Sequence, residues 1–274
     1  MNAIRFCASK STISLFSSKK RSAMAKLTTS KWTKHKILRR MESLRTHLPD
    51  TAWLSDTTLW SMLDKYNQII IKPTGSYGGH GVIRISKVET ASYEIHNGAK
   101  RTLLIDKSAV SRYVRKKAGR NYIVQQRVHL ATVKGRPFDL RVMVQRRPGG
   151  PWQVTGKLAK VAGRGYIVTN VRRSHGRVVS LPYALRHSEV GGMSAELTAK
   201  VNQVALKAAR QLHPSYRWVK TMGVDMAIDK KGHVWIIEVN FAPMLELFLK
   251  LADKSTYRTI KSFHASRRKQ NSLR

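Results

Sequence analysis

Three oxygen-bearing side chains near the end of the 274-residue sequence carry the first chemical signal. Asp225 lies in Gly223-Val224-Asp225, and Glu238 and Asn240 lie in Ile236-Ile237-Glu238-Val239-Asn240. Both stretches read as strands, 222–228 and 233–239, split by the turn Asp229-Lys230-Lys231-Gly232. Antiparallel pairing across that turn sets Asp225 opposite Glu238, and Asn240, two residues on, faces the same side as Glu238. Two carboxylates and an amide on one face suit Mg²⁺ bridging nucleotide phosphates. The other reading is a cross-strand set neutralised by nearby Lys or Arg.

A second constellation is Lys72-Pro73 followed by Gly75, Ser76, Tyr77, Gly78, Gly79, His80 and Gly81. Glycines at this density let backbone N–H groups approach an anion without interference from Cβ atoms, and a lysine beside them adds a point charge. The loop lacks the Gly-Lys-Ser/Thr ending of a Walker A motif and the spacing of a dinucleotide fingerprint. It serves equally as a hairpin turn or as a lid over a nucleotide. Third, Phe138-Asp139-Leu140-Arg141 puts Asp139 and Arg141 on one strand face. Such an arginine either grips a terminal phosphate bidentately or forms a structural ion pair.

The elements that must hold these residues can be read around them. Ser30 stands at an N-cap position before apolar residues spaced for a helix over 31–45, and a shorter helix spans 55–66. Ile69-Ile70-Ile71 is a buried strand running into Lys72. Strands follow at 82–87 and 102–105, a helix at 107–118 and a strand at 121–128. Phe138 to Val144 and Trp152 to Val161 form a hairpin about Pro148-Gly149-Gly150-Pro151, and Leu197, Val201, Val204, Ala208 and Leu212 stripe a helix over 194–213.

Charge limits the partners. The chain has 52 Lys+Arg against 15 Asp+Glu, a formal charge of +37, yet 42% of its residues are hydrophobic, enough for a sizeable core. The acid-free ends, 1–41 and 254–274, hold 18 of the basic residues, so the segment between them still carries +19. That surplus predicts a polyanionic partner. Nucleic acid is one candidate, through Arg112, Arg115, Lys116, Lys117 and Arg120, but no base-reading motif supports it. Cys7 is the sole cysteine, which excludes an internal disulfide and suits a reducing cytoplasm. No run approaches the length of a membrane span. Residues 1–23 read either as a transit peptide or as an extension ahead of Met24.

In this order the motifs resemble the ATP-grasp proteins, and in detail the YheC/YheD group, named for endospore coat-associated proteins. The resemblance spans about Lys31 to Phe248. It rests on Ile70-Ile71-Lys72-Pro73 with its glycine loop, Tyr122-Ile123-Val124-Gln125-Gln126, Gly135 to Arg141, and Ile237-Glu238-Val239-Asn240. It implies an α+β fold of two subdomains with ATP between them: an extension over 1–29, an ATP-grasp domain over 30–253 divided near 120/121, and a basic tail over 254–274. The separate N-terminal domain that many ATP-grasp enzymes carry is expected to be absent.

The resemblance also implies roles. Lys31 and Lys72 would contact ATP phosphates, and Gly75, Ser76, Gly78, Gly79 and Gly81 would close over them. Gln125, Gln126, Arg127 and Val128 would form the adenine hinge, with Gln126 standing where many members have Glu. Arg141 would hold the γ-phosphate, Lys157 and Asn170 would be further active-site contributors from the second half, and Asp225, Glu238 and Asn240 would bind Mg²⁺, or Mn²⁺ in its place. The implied activity is ATP-dependent ligation of a carboxylate to an amine or thiol through an acyl phosphate, with acceptor and oligomeric state open. The alternative is an ATP-binding assembly protein of the spore-coat type with little turnover, which would place the chain at the spore rather than in the cytoplasm.

Overall fold

The computed structural model describes residues 27–76, 78–164, 171 and 174–271, with 264–271 described by backbone alone. Asn170, Tyr77 and residues 1–26 therefore lie outside the described residues. Two antiparallel sheets face one another, in the α+β arrangement expected.

The first sheet contains β1 (Thr51–Trp53), β2 (Gln68–Pro73), β3 (Ile83–Lys87), β4 (Ser92–Asn97), β5 (Lys100–Ile105) and β6 (Tyr122–Gln126), in the order β1-β6-β2-β3-β4-β5. Helices α3 (Asp56–Tyr66) and α4 (Lys107–Lys117) cover one face, burying Leu59, Leu63, Ile69, Ile71, Ile85, Val110 and Val124. Local chemistry sets the ends of α3: Ser55 and Thr58 form a capping box, and Asn67 terminates the helix in the left-handed region. The other face, carrying Ile70, Lys72 and Arg84, looks into the space between the sheets.

The second sheet runs β10 (Arg177–Val179), β9 (Gln153–Val161), β8 (Arg136–Gln145), β11 (Thr221–Ile228), β12 (Val234–Asn240), with β7 (Thr132–Val133) paired to β8. Against its outer face pack α5 (Leu181–Arg186), α6 (Ser194–Leu212), and the two short N-terminal helices α1 (Lys31–Arg39) and α2 (Glu42–Arg45). The helix expected over 31–45 is broken because Met41 is extended, which turns it onto this core.

Three boundaries differ from expectation. Ile37, Leu38 and Leu44 belong to the second core rather than the first subdomain, because their apolar stripe completes the groove beside α6. β6 belongs to the first sheet through pairing with β1 and β2, so the sheets divide after Gln126, not at 120/121. The segment 254–274 is more than a tail: α7 (Ser255–Asn271) packs Ile260 and Tyr257 on the inner face of the second sheet with Phe248 and Leu158. Gly156 on β9 permits that approach, since a Cβ there would lie 2.7 Å from Ile260 Cδ1 and 2.8 Å from Thr256 Cγ2.

Candidate nucleotide site

Between the sheets lies a cleft of about 730 Å³ lined by residues of both. On the second sheet, Asp225 pairs across the strands with Arg141 on one side and Glu238 on the other, and Asn240 pairs with Gly223. A bulge beside Asp225 leaves Ile237 without a partner in the register and keeps Glu238 opposite Asp225. The three side chains expected together are thus on one face.

Cations crowd the same face. Arg141 grips Asp225 with two hydrogen bonds, Nε to Oδ1 at 2.8 Å and Nη2 to Oδ2 at 3.0 Å. Lys160 Nζ reaches both Asp225 Oδ1 and Asp139 Oδ1 at 3.1 Å. Asn240 Nδ2 donates to Asp225 Oδ2 at 3.0 Å. Burial works to raise the Asp225 pKa, but Arg141 and Lys160 outweigh it and hold the carboxyl down to about 2. Their own ammonium and guanidinium groups are raised in turn by the neighbouring carboxylates, against the opposing effect of burial. Gly223 makes room for this arrangement, since a Cβ would lie 2.5 Å from Pro243 Cβ and 3.2 Å from Arg141 Cδ.

Facing this set, Lys72 is buried and donates to Gln125 Oε1 at 2.7 Å and to the bulged Ile237 carbonyl at 3.4 Å. Burial pushes its pKa down to about 8. Gln125 Nε2 in turn donates to Thr51 Oγ1 at 2.8 Å, so its side chain positions Lys72. Lys31 Nζ lies 3.3 Å from Glu238 Oε1 and also donates to the Ser76 carbonyl, tying α1 to the glycine loop. Within the loop, Gly78, Gly79 and Gly81 all have positive φ, backbone that explains the glycines. Ser76, Gly78 and Gly79 line the cleft, with Gly75 and Gly81 toward the two ends of the loop. The hinge residues Gln126, Arg127 and Val128 line it as well. Gln126 is anchored to Asp50 through a backbone and a side-chain hydrogen bond, and Arg127 binds Gln68.

One expected residue is not in this group. Lys157 pairs with Val142 on the opposite strand face and donates to Asn202 on α6 at 2.9 Å. Lys160, three residues on and opposite Asp139, lines the cleft instead. A register shift in the hairpin between Met143 and Val144 brings Lys160 opposite Asp139; counting back from the turn 148–151 without it would put Lys157 opposite Arg141. Lys34, outside the lining of the cleft, is a further buried cation beside the site. It lies one turn after Lys31, donates to the Val239 carbonyl and sits 4.9 Å from the Phe241 ring centroid, with its pKa lowered to about 8 chiefly by burial. Its i, i+3 spacing from Lys31 was the available signal.

The donor set fits a hard divalent ion. Glu238 and the amide oxygen of Asn240 are donors that Mg²⁺ and Mn²⁺ both accept, whereas both Asp225 oxygens are held by Arg141, Lys160 and the Asn240 amide and would have to exchange a partner to join them. No group of three or more His, Cys, Asp or Glu among the described residues makes a metal site unaided. An ion here would therefore depend on phosphate oxygens as well.

The family described as YheC/D-like ATP-grasp matches residues 22–264. The endospore coat-associated protein YheD of Bacillus subtilis (strain 168) is 26% identical over 225 residues, covering 80% of this chain and 49% of YheD. YheC from the same organism is 22% identical over 227 residues, covering 81% of this chain and 62% of YheC. The chain thus spans about half to three-fifths of these curated relatives. Among solved structures, the ATP-grasp ligase PsnB complexed with a minimal precursor superposes with a TM-score of 0.51 at 14% identity, over 86% of this chain and 60% of PsnB. PsnB complexed with a phosphomimetic variant of that precursor, Mg and ADP gives 0.51 at 15% identity, over 86% and 58%. At these identities the superpositions show the fold, which is ATP-grasp.

Proposed function

Because the chain belongs to the YheC/D-like ATP-grasp family, we propose that it binds ATP with Mg²⁺ in the cleft and uses it to join a carboxylate to an amine or a similar nucleophile. The observation that carries this reading is the convergence of Lys31 and Lys72 with Arg141, Lys160, Asp225 and Glu238 in one cleft, under a glycine loop. Four cations around two carboxylates suit a triphosphate with its ion better than they suit a neutral ligand.

The roles follow from position. Val128 and the backbone of Gln126 and Arg127 hold the adenine edge, while Ile70 packs beneath it. Lys31 and Lys72 hold phosphate oxygens, and the loop 75–81 closes over them and excludes water. Asp225, Glu238 and Asn240 would hold Mg²⁺, or Mn²⁺ in its place, which when bound would supply charge neutralisation for the phosphates. Arg141 and Lys160, already aligned by Asp225 and Asp139, face the γ-phosphoryl group and stabilise its charge in transfer. A carboxylate oxygen of the acceptor bonds to phosphorus as the bond to ADP breaks. The amine then attacks the carbonyl carbon, phosphate leaves, and the amine nitrogen gives up a proton.

No helix among the described residues is long and apolar enough to cross a membrane. We place the reaction in the cytoplasm, where ATP is available; the coat-associated names of the relatives record a location rather than a chemistry. The test is ADP release with Mg-ATP and pools of amino acids, acidic peptides and wall precursors, against an Arg141→Ala control. Acceptor-dependent ADP release abolished by the substitution supports the reading. Failure to bind Mg-ATP at millimolar nucleotide removes it.

A further inference from the structure

Strand β5 is the open edge of the first sheet, with no partner beyond it among the described strands. It pairs with β4 through a two-residue hairpin, Asn97 opposite Lys100, Ile95 opposite Thr102 and Tyr93 opposite Leu104. The closing pair of such a hairpin is hydrogen-bonded and the pattern alternates, so Lys100, Thr102 and Leu104 direct their backbone groups to β4. The N–H and C=O groups of Arg101, Leu103 and Ile105 then point outward along the edge.

The side chains of these same three residues stand on the cleft side of the sheet, away from α4. Arg101 lines the cleft with Arg84, both bound to Glu94, Arg101 at 3.7 Å. Leu103 and Ile105 continue the row outward and are each 59% exposed. Sheets usually blunt their edges with charge, proline or a bulge, and a six-residue edge bearing two bare apolar side chains is a template for another strand. Positive charge runs with it. Nine Lys and Arg line the cleft against four carboxylates, an excess that Mg-ATP, at a net charge of about −2, does not cancel. Arg84 Nε and Ser86 Oγ, in the adjoining rows of the same face, are buried without a hydrogen-bond partner among the described residues.

We propose that β5 is a docking edge for an extended, acidic segment of a polypeptide acceptor, which adds to the first sheet as a further strand and leads into the cleft past Arg101. This rests on the ligase reading for the fate of the segment, not for its binding. Acidic side chains of the segment lie toward Arg101 and Lys100, and apolar ones cover Leu103 and Ile105. A nucleic acid would match the charge but offers neither a ladder of peptide groups for the edge nor side chains for the two apolar residues.

The test is fluorescence anisotropy with the full chain and a labelled decapeptide that joins an alternating valine–serine half to a half of glutamates, without nucleotide, beside the same peptide with lysine in place of glutamate. The acidic peptide should bind at least about tenfold more tightly and weaken with added salt. The double substitution Leu103→Glu with Ile105→Glu, at two exposed positions, should cost at least about tenfold in peptide affinity while thermal unfolding and ATP binding stay unchanged. Leu103→Pro should act similarly, because it removes an outward N–H without touching the ladder to β4; if that variant unfolds, the double substitution decides. Equal binding of the two peptides, wild-type affinity in the double variant, or equal competition by a ten-nucleotide oligothymidylate would each overturn the proposal. Docking lost alongside intact ADP release defeats this inference alone. Docking retained by a chain that binds no Mg-ATP defeats the ligase reading and with it the acceptor role.

Discussion

Lys72 should make nucleotide binding depend on pH in a way that can be worked from its surroundings. Without nucleotide its ammonium is buried, and burial lowers its pKa from 10.5 to about 8; Glu238 and Asp225 oppose the shift and Lys31 adds to it. Triphosphate oxygens beside it would restore its ordinary value. The sign follows: a depressed lysine that regains its usual pKa on binding gives greatest affinity below pH 8, and affinity falls as pH rises from 8 toward 10.5. At pH 9 the group is about one-tenth charged when free and almost fully charged when bound. Binding then takes up about 0.9 of a proton, and Kd rises about tenfold between pH 7 and pH 9, roughly 1.4 kcal/mol. Isothermal titration of Mg-ATP at pH 9, in two buffers of different ionisation enthalpy, counts the proton directly. In Lys72→Met the uptake should vanish, affinity at pH 7 should drop, and the profile between pH 7 and pH 9 should flatten. Proton uptake that survives this substitution would refute the reasoning, and would transfer the effect to Lys34, whose pKa is also lowered to about 8. Absence of uptake in the wild type would refute it too.

Three further outcomes are expected. Arg141→Ala leaves the buried Asp225 carboxylate with Lys160 as its remaining cation and should destabilise the fold by about 3 kcal/mol in urea unfolding at pH 7. Since Asp225 titrates near 2 when paired, that difference is complete above about pH 4 and shrinks as pH falls toward 2. Gly223→Ala forces a methyl group against Pro243 and the Arg141 stem, costing about 1–3 kcal/mol in thermal unfolding and displacing Arg141 enough to suppress ADP release. Lys160→Met should weaken ADP release by about a hundredfold while Lys157→Met leaves it within about twofold, because only Lys160 lies on the cleft face. Equal effects of the two lysine substitutions would contradict the assigned strand faces.

Much of the site was legible because its parts obey short-range rules. Asp225, Glu238 and Asn240 sit on two strands joined by a tight turn, which sets the pairing, but the bulge beside Asp225 is what brings Glu238 rather than Ile237 opposite it. The glycine loop announced its left-handed backbone through composition alone. Lys157 lies on the opposite face because a register shift between Met143 and Val144 moves the hairpin pairing by one residue, which the Pro-Gly-Gly-Pro turn does not announce. Strands β1 and β4 went unread for another reason. β1 is only three residues at an edge, held by β6 far along the chain, while β4 pairs with its sequence neighbours β3 and β5 and alternates only two apolar residues, Tyr93 and Ile95, with Glu94 and His96.

The sequence by itself determined the α+β class, the glycine loop and the basic balance, since each depends on periodicity, turn chemistry or composition. Only the tertiary structure decided that α1 completes the second core while sending Lys31 to Glu238 and the loop, and that Lys160 stands beside Arg141. It also decided that Gln125 serves Lys72 and that α7 closes the inner face of the second sheet. Such contacts join residues tens to hundreds of positions apart, and which of them form depends on how packed faces exclude water together. No local pattern carries that information.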